Sequence, residues 1–426
     1  MEMKIISEES IRPSTPTPPP LRHYHLSFLD QLIYADYIPL IFFYPTDENI
    51  SGKYSSELKN SLSETLSRYY PFAGRIKDSV SIECNDEGAL FIEARVKHSA
   101  MEVIENPRHD FIEPLFPNNL QWKRMQPGAS LVAAQVNYFD HGGIAIAVCM
   151  SHKVGDLATM GNFINDWAAI ARSSEELDSL PLPTLNSASI FEGDLAVSPD
   201  VVLEKTSSYR RFVFNACKIN ELKKRVSSKV QNPTRVQVVS ALIYKCAISA
   251  SRSLPSLASK RTALIQSVNL RGRMAPSLPE KSVGNMNWIF FSGENGEAME
   301  LDELAKETRG ALQEFCGKYA KRFRSIVSEC LKEALEFVGD ENRLLYRWAS
   351  WCRFGMYEAD FGFGKPRWVT SAGCVFKNQV ILMDWRDGDG IEAIVNLDEQ
   401  AMTAFENDEN LLAYASPSPS YSLNEK

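Results

Sequence analysis

No stretch of the sequence approaches the roughly 18 uninterrupted apolar residues that a membrane span requires; the best run, Ile38–Tyr44, is short and interrupted by Pro39. A basic excess is also missing. Lys and Arg number 46 against 54 Asp and Glu, a formal net charge of −8, which leaves nothing to neutralise a phosphate backbone and sets nucleic acid aside as a partner. The opening residues carry Glu2, Glu8 and Glu9 ahead of a Pro/Ser/Thr run. They lack the apolar core of a signal peptide and the Arg-rich, acid-poor character of a transit peptide, so a soluble cytosolic protein is expected. Cysteine is sparse: eight residues, at 84, 149, 217, 246, 316, 330, 352 and 374, form no CxxC pair. In a reducing compartment they are expected to be free, several of them in apolar runs.

What is present is an ordinary globular composition, with 44% hydrophobic and 23% charged residues over 426 positions, enough chain for two or three domains. Pro13–Pro20 cannot pair in a central sheet or continue a helix, because proline lacks an N–H and fixes φ; it predicts an extended surface lead-in. Leu58, Leu62 and Leu66 predict an amphipathic helix over Ser55–Tyr69. Val80–Cys84 and Ala89–Val96 flank a turn-rich tetrapeptide and predict a hairpin, as do Leu131–Phe139 and Gly143–Met150. From Ser151 to Arg172 the period changes to three and four, so a helix is expected directly after the strand, with the junction at His152. Ser173–Ser208 loses periodicity and predicts a long crossover between an N-terminal domain, 1–175, and a C-terminal domain, 209–426, with 176–208 as the linker. The second half reads as a strand at Tyr209–Phe214, helices at Ala216–Lys229 and Arg235–Arg252, and a strand at Thr262–Asn269. A helix at Glu300–Gly317 follows, then a hairpin at Gln379–Trp385 and Ile391–Asn396 and a final helix at Glu399–Ala413.

Of the six histidines, His23, His25, His98 and His109 lie in polar surroundings without a useful partner, and His141 belongs to a turn. His152 follows an apolar strand, precedes a helix and has Asp156 four residues on, a place where a general base can project from a rigid scaffold into a cleft. Alone, HxxxD is weak. No HExxH or Cys/His cluster accompanies it, so no metal is expected. No GxSxG elbow supplies a serine nucleophile. Ser151 and Cys149 flank the histidine, but neighbouring strand side chains point to opposite faces. The first letters of Asp360-Phe-Gly-Phe-Gly364 are those of a kinase magnesium loop, but the HRD and GxGxxG elements that must accompany it are missing. Two glycines beside aromatics suggest instead a tight loop locked by ring packing.

Taken together, PSTPTP at 13–18, LSFLDQ at 26–31, YPFAGRI at 70–76, CNDEG at 84–88, SHKVGD at 151–156, VNLRGRMAPSLP at 268–279, VGN at 283–285 and SWCRFGMYEADFGFGKP at 350–366 resemble the BAHD acyl-coenzyme A transferases of plants, in the sub-group of alkaloid O-acetyltransferases. The resemblance spans the whole length. It implies an α/β fold of two chloramphenicol-acetyltransferase-like domains of similar size, with mixed sheets, flanking helices and a solvent channel between them. It implies acetyl-CoA, or another acyl-CoA, as co-substrate and an alkaloid or terpenoid alcohol of plant specialised metabolism as acceptor, with no metal and a monomeric chain. N-acylation of an amine and a catalytically silent relative remain the alternatives.

The resemblance makes His152 the general base of direct transfer. Spacing alone would allow Asp156 to form a dyad with it on one helix face, whereas the family pattern implies that Asp156 turns away to pair with Arg271. Asp360, Gly362 and Gly364 belong to the structural loop; there Phe363 stands where the family usually has tryptophan, which removes an indole N–H and some packing area. Thr234, Arg252 and Asn285 match segments near coenzyme A in relatives. Thr234 as an N-cap and Arg252 as a helix-end cation are equally good readings.

Overall fold

The computed structural model describes residues 2–46, 54–173, 180–195, 209–294, 299–373 and 376–417. Two mixed sheets dominate. The first runs in the order Met3–Ile11, Ala89–Val96, Val132–Phe139, Ile144–Ser151, Tyr37–Tyr44, Trp368–Thr370. Every residue of Tyr37–Tyr44 and of Ile144–Ser151 is buried, the signature of central strands covered on both faces, and it explains why their sequences YIPLIFFY and IAIAVCMS do not alternate. The helix Leu157–Arg172 lies over this sheet with Ser55–Arg68, sharing one apolar cluster.

The second sheet runs Asn287–Ser292, Arg261–Asn269, Arg343–Ser350, Gln379–Asp384, Ile391–Asn396, Arg210–Phe214, Ser416–Pro417. Arg261–Asn269 pairs in parallel with Arg343–Ser350, which pairs in parallel with Gln379–Asp384. Between the first two of these the chain forms the helices Leu301–Lys318 and Phe323–Val338, the crossover that a parallel pair requires. Arg235–Arg252 packs on the sheet's far face, in a core with Phe212, Tyr346 and Leu382.

The predicted elements at Ser55, Arg235, Thr262 and Glu300 are found within a residue or two of their expected bounds, and the strands Val132–Phe139 and Ile144–Ser151 pair antiparallel. The hairpin expected over 80–96 does not form. Ser81–Glu83 pairs with His23–His25 and Arg75–Ile76 in a small third sheet, while Ala89–Val96 pairs with Met3–Ile11. The connecting loop is gripped from outside: Asp86 accepts from the Thr17 amide and hydroxyl at 2.9 and 2.6 Å. A Cβ on Gly88 (φ +90°) would stand 2.2 Å from the Ile11 carbonyl oxygen. The loop therefore redirects the chain to another sheet. The single helix expected at 399–413 is broken into Glu399–Phe405 and Glu409–Leu412, the second capped by Asp408 through the amides of Asn410 and Leu411.

Residues 209–426 do not all stay with the second sheet. Trp368–Thr370 pairs with Ile41–Phe43 in the first, and Arg211 ties the two by donating to both Thr370 and Glu392. Cys374 and most of the expected linker lie outside the described residues; the other seven cysteines are free. Among the described residues, no helix is long and apolar enough to cross a membrane. Between the two sheets lies a cavity of about 470 Å³ whose walls include Leu29 and Tyr37 from one half and Ile265 and Trp348 from the other.

Candidate active site

His152 lines that cavity, just past the end of the buried strand Ile144–Ser151. The helix that was expected to begin there starts only at Leu157, with Asp156 as its N-cap accepting from the Thr159 amide at 3.0 Å. Residues 152–156 are therefore a non-helical connection, and the helical spacing that would bring His152 and Asp156 onto one face does not apply.

The Asp156 carboxylate is directed to Arg271. Arg271 donates through Nη1 to Oδ2 at 2.8 Å and through Nη2 to Oδ1 at 2.9 Å, the bidentate geometry that favours arginine. The Met286 amide also donates to Oδ2, at 3.0 Å. Burial by itself pushes Asp156 up, but the Arg271 guanidinium and the Thr159 amide hold it below the ordinary carboxylate value. Arg271 in turn donates to the carbonyl oxygens of Ser282 and Gly284 at 2.8 and 3.2 Å. The pair thus fastens the start of one half's helix to the 282–286 segment of the other.

The histidine's own loop is held from three sides. The His152 amide donates to the Asp36 carbonyl at 2.8 Å. Its carbonyl accepts from Asn285 Nδ2 at 2.8 Å. Lys153 Nζ donates to the carbonyls of Asp30 and Gln31 at 3.2 and 2.9 Å, and burial, only partly offset by Asp30, lowers that ammonium to about 8. Asp30 closes the circle: its Oδ1 accepts from both the amide and the Nδ2 of Asn285, at 2.6 and 2.9 Å.

His152 Nδ1 is sealed from water and makes no well-formed hydrogen bond among the described residues. With Nδ1 sealed, Nε2 is the ring nitrogen that can serve a ligand in the cavity. Burial pushes the imidazole pKa below its ordinary value, partly offset by the loop backbone, Asp156 and Asn285, which favours the neutral ring, the form with a free lone pair. The neighbouring Cys149 thiol is raised well above its ordinary value by burial; it is not a thiolate.

Asn285 lines the cavity, but its amide nitrogen is committed to Asp30 and to the His152 loop. Thr234 and Arg252 do not line the cavity. They occupy opposite ends of one helix, about 27 Å apart at 1.5 Å per residue, with Thr234 capping the Gln237 amide and Arg252 donating to the Ala258 carbonyl. Asp360 Oδ1 accepts from the amides of Gly362 and Gly364, both at 2.9 Å, and both glycines have positive φ, +99° and +93°. None of 360–364 lines the cavity. Sequence reasoning missed Asp30 and Lys153. Asp30 sits inside LSFLDQ, where its three-residue spacing from Ser27 marks a helix start; the pair does form a capping box, and that alone gives no hint of Asn285. Among the described residues, no cluster of three or more His, Cys, Asp or Glu is placed to hold a metal ion.

The model of the Transferase family matches residues 1–412. Akuammiline synthase 1 of Alstonia scholaris is 44% identical over 415 residues, covering 96% of this chain and 97% of that protein. The 17,18-epoxy-17-hydroxycur-19-ene N-malonyltransferase of Strychnos nux-vomica is 39% identical over 432 residues, covering 97% and 91%. Among solved structures, vinorine synthase superposes with a TM-score of 0.86 at 33% identity, covering 97% of this chain and 99% of that one. With the family model matching nearly end to end, this chain belongs to the Transferase family, the BAHD acyltransferases, and is an acyl-transferring enzyme.

Proposed function

We propose that the protein transfers an acyl group, acetyl in the first instance, from coenzyme A to a hydroxyl of a plant specialised metabolite. The observation that carries this is His152 on the wall of a largely apolar cavity built from both halves, its imidazole pKa lowered by burial. An alcohol is too weak an acid to ionise unaided, so a positioned base gains most there. His152 Nε2 accepts the hydroxyl proton as the oxygen bonds to the thioester carbonyl carbon. On collapse the C–S bond breaks, and the imidazolium returns that proton to the leaving thiolate. No acyl-enzyme is formed; the protonated Cys149 supports direct transfer. Asp156 and Arg271 act by positioning the loop. In this reading 1–175 and 209–426 are two acyltransferase-type units joined by 176–208, with Thr234 and Arg252 on the coenzyme side. A single chain works in the cytosol.

Transfer to an amine is the second reading, favoured by the N-malonyltransferase among the relatives. Purified protein given acetyl-CoA or malonyl-CoA with matched alcohols and amines decides between them, read by thiol release and the mass gain of the product. Thiol release and product formation that depend on His152 support transfer; equal product from the His152→Ala variant rejects it.

A further inference from the structure

The cavity wall holds a cation that no acid among the described residues neutralises. Arg347, on the strand Arg343–Ser350, lines the cavity, and its guanidinium takes part in no hydrogen bond or ion pair among the described residues. The two carboxylates that share the lining are already taken: Asp36 by Arg124 Nε at 2.7 Å and Asp156 by Arg271. In register beside Arg347 stand Ile265 on one neighbouring strand and Gln379 on the other, and both line the cavity with it. Burial pushes the guanidinium pKa down with no acid to offset it. A half-buried, unpaired charge facing an apolar pocket is costly and is relieved when a ligand supplies the anion.

The ladder says which part of a ligand that is. Arg347 lies opposite Ile265, four residues along the strand from Asn269, whose partner Asn287 opens the strand just after Asn285, the residue bonded to the His152 carbonyl. At about 3.3 Å per residue that is on the order of 13 Å along the strands. The distal carboxylate of a malonyl thioester is only two carbon–carbon bonds of about 1.5 Å from the carbonyl carbon served by His152. An anion at that level fits a group several bonds from the reacting hydroxyl better than one two bonds from the thioester carbonyl. A polyphosphate arm calls for several cations or a helix N-terminus; a single fork-shaped guanidinium between an isoleucine and a glutamine matches a single carboxylate.

We propose that Arg347 is a recognition site for a carboxylate carried by the acceptor, so that the alcohol acylated at His152 is a hydroxy acid rather than a protonated amine base. This rests on the acyl-transfer reading above and narrows its acceptor class. The test uses polycyclic hydroxy acids and their methyl esters as matched pairs, comparing wild type with Arg347→Gln and Arg347→Lys. In wild type the acid should be bound and acylated at least about tenfold better than its ester, mainly through KM. The ratio should fall to near one in R347Q and be partly kept in R347K. Calorimetric binding of the same pairs needs no turnover. If nothing on the panel is acylated and no thiol is released, the transfer reading fails, while acid-over-ester binding still decides the role of Arg347. Equal binding of acid and ester in wild type, or an unchanged ratio in R347Q, overturns the proposal. So does an R347Q defect that appears instead as weaker malonyl-CoA relative to acetyl-CoA, or weaker CoA relative to 3′-dephospho-CoA, which would assign the cation to the donor.

Discussion

The connection at 152–156 and the loop at 360–364 each lean on the opposite half of the chain, and they do so with different chemistry. The first is held by charge and hydrogen bonds: Asp156 receives Arg271 and the Met286 amide, and the His152 carbonyl receives Asn285. The second is held by rings. Phe361 meets Trp167 edge-on at 5.0 Å, and Phe363 meets Tyr44 and Tyr54 at 4.8 and 5.1 Å. Directional bonds fix the position of a ring nitrogen to fractions of an ångström, which a proton transfer needs. Ring packing fixes only that two surfaces stay together. The difference teaches that two motifs of similar legibility can have unequal functional weight, and substitutions in each sharpen it.

The largest effect is expected at His152. His152→Ala should lower turnover by about 100- to 10,000-fold while unfolding as wild type does, because the loop is held through its backbone. Retained turnover in a folded variant would remove His152 from the chemistry.

Next come the partners Asp156 and Arg271. Each single alanine variant strands a buried charge, at a cost on the order of 3 to 5 kcal/mol, so low soluble yield is expected. Removing both should cost much less than the sum of the two, measured as a double-mutant cycle in denaturant. Additive effects, or an Asp156→Asn variant of full stability whose pH profile alone moves, would support the catalytic dyad instead.

The acid limb of the pH–rate profile is smaller but diagnostic. Burial lowers the His152 pKa, so the neutral base persists below the ordinary value of about 6.5 and activity should fall only at pH values lower than that. The linked stability has the same sign: in the window below about 6.5 the unfolded chain binds the proton more readily, so the contribution is intact above that pH and eroded as pH falls. An acid limb centred above 6.5 contradicts the buried-base assignment.

How far the sequence carried this site depends on which distances were local. HxxxD places His152 at a strand end because hydrophobic patterning changes period there, and the buried strand and the following helix follow from that change alone. Helical spacing does not carry the dyad, because the helix starts five residues later than the periodicity suggested, with Asp156 as its cap. The pairing to Arg271, 115 positions away, was legible only through family resemblance. The Asp30–Asn285 link spans 255 positions and left no local trace. The false hairpin at 80–96 has the same root: local turn chemistry was read correctly, while Thr17 and Ile11, distant in sequence, decide where the loop sends the chain.

The smallest effect is expected in the aromatic loop, at Phe363→Trp. The backbone there is set by Asp360 accepting from Gly362 and Gly364, which the substitution leaves untouched, and Phe361 remains buried against Trp167. Phe363 itself is only half-buried, so a larger ring gains some contact with Tyr44 and Tyr54 while its new N–H can reach water, and no polar group is stranded. The change in unfolding free energy should stay within about 1 kcal/mol, the range of a single aromatic pair. Because none of residues 360–364 lines the cavity, the relative rates with different acceptors should not move, and competition between two acceptors in one reaction measures this without interference from protein yield. A changed ratio would show that the loop reaches the substrate or reshapes its pocket, and the division between a loop that positions chemistry and a loop that only joins surfaces would have to be withdrawn.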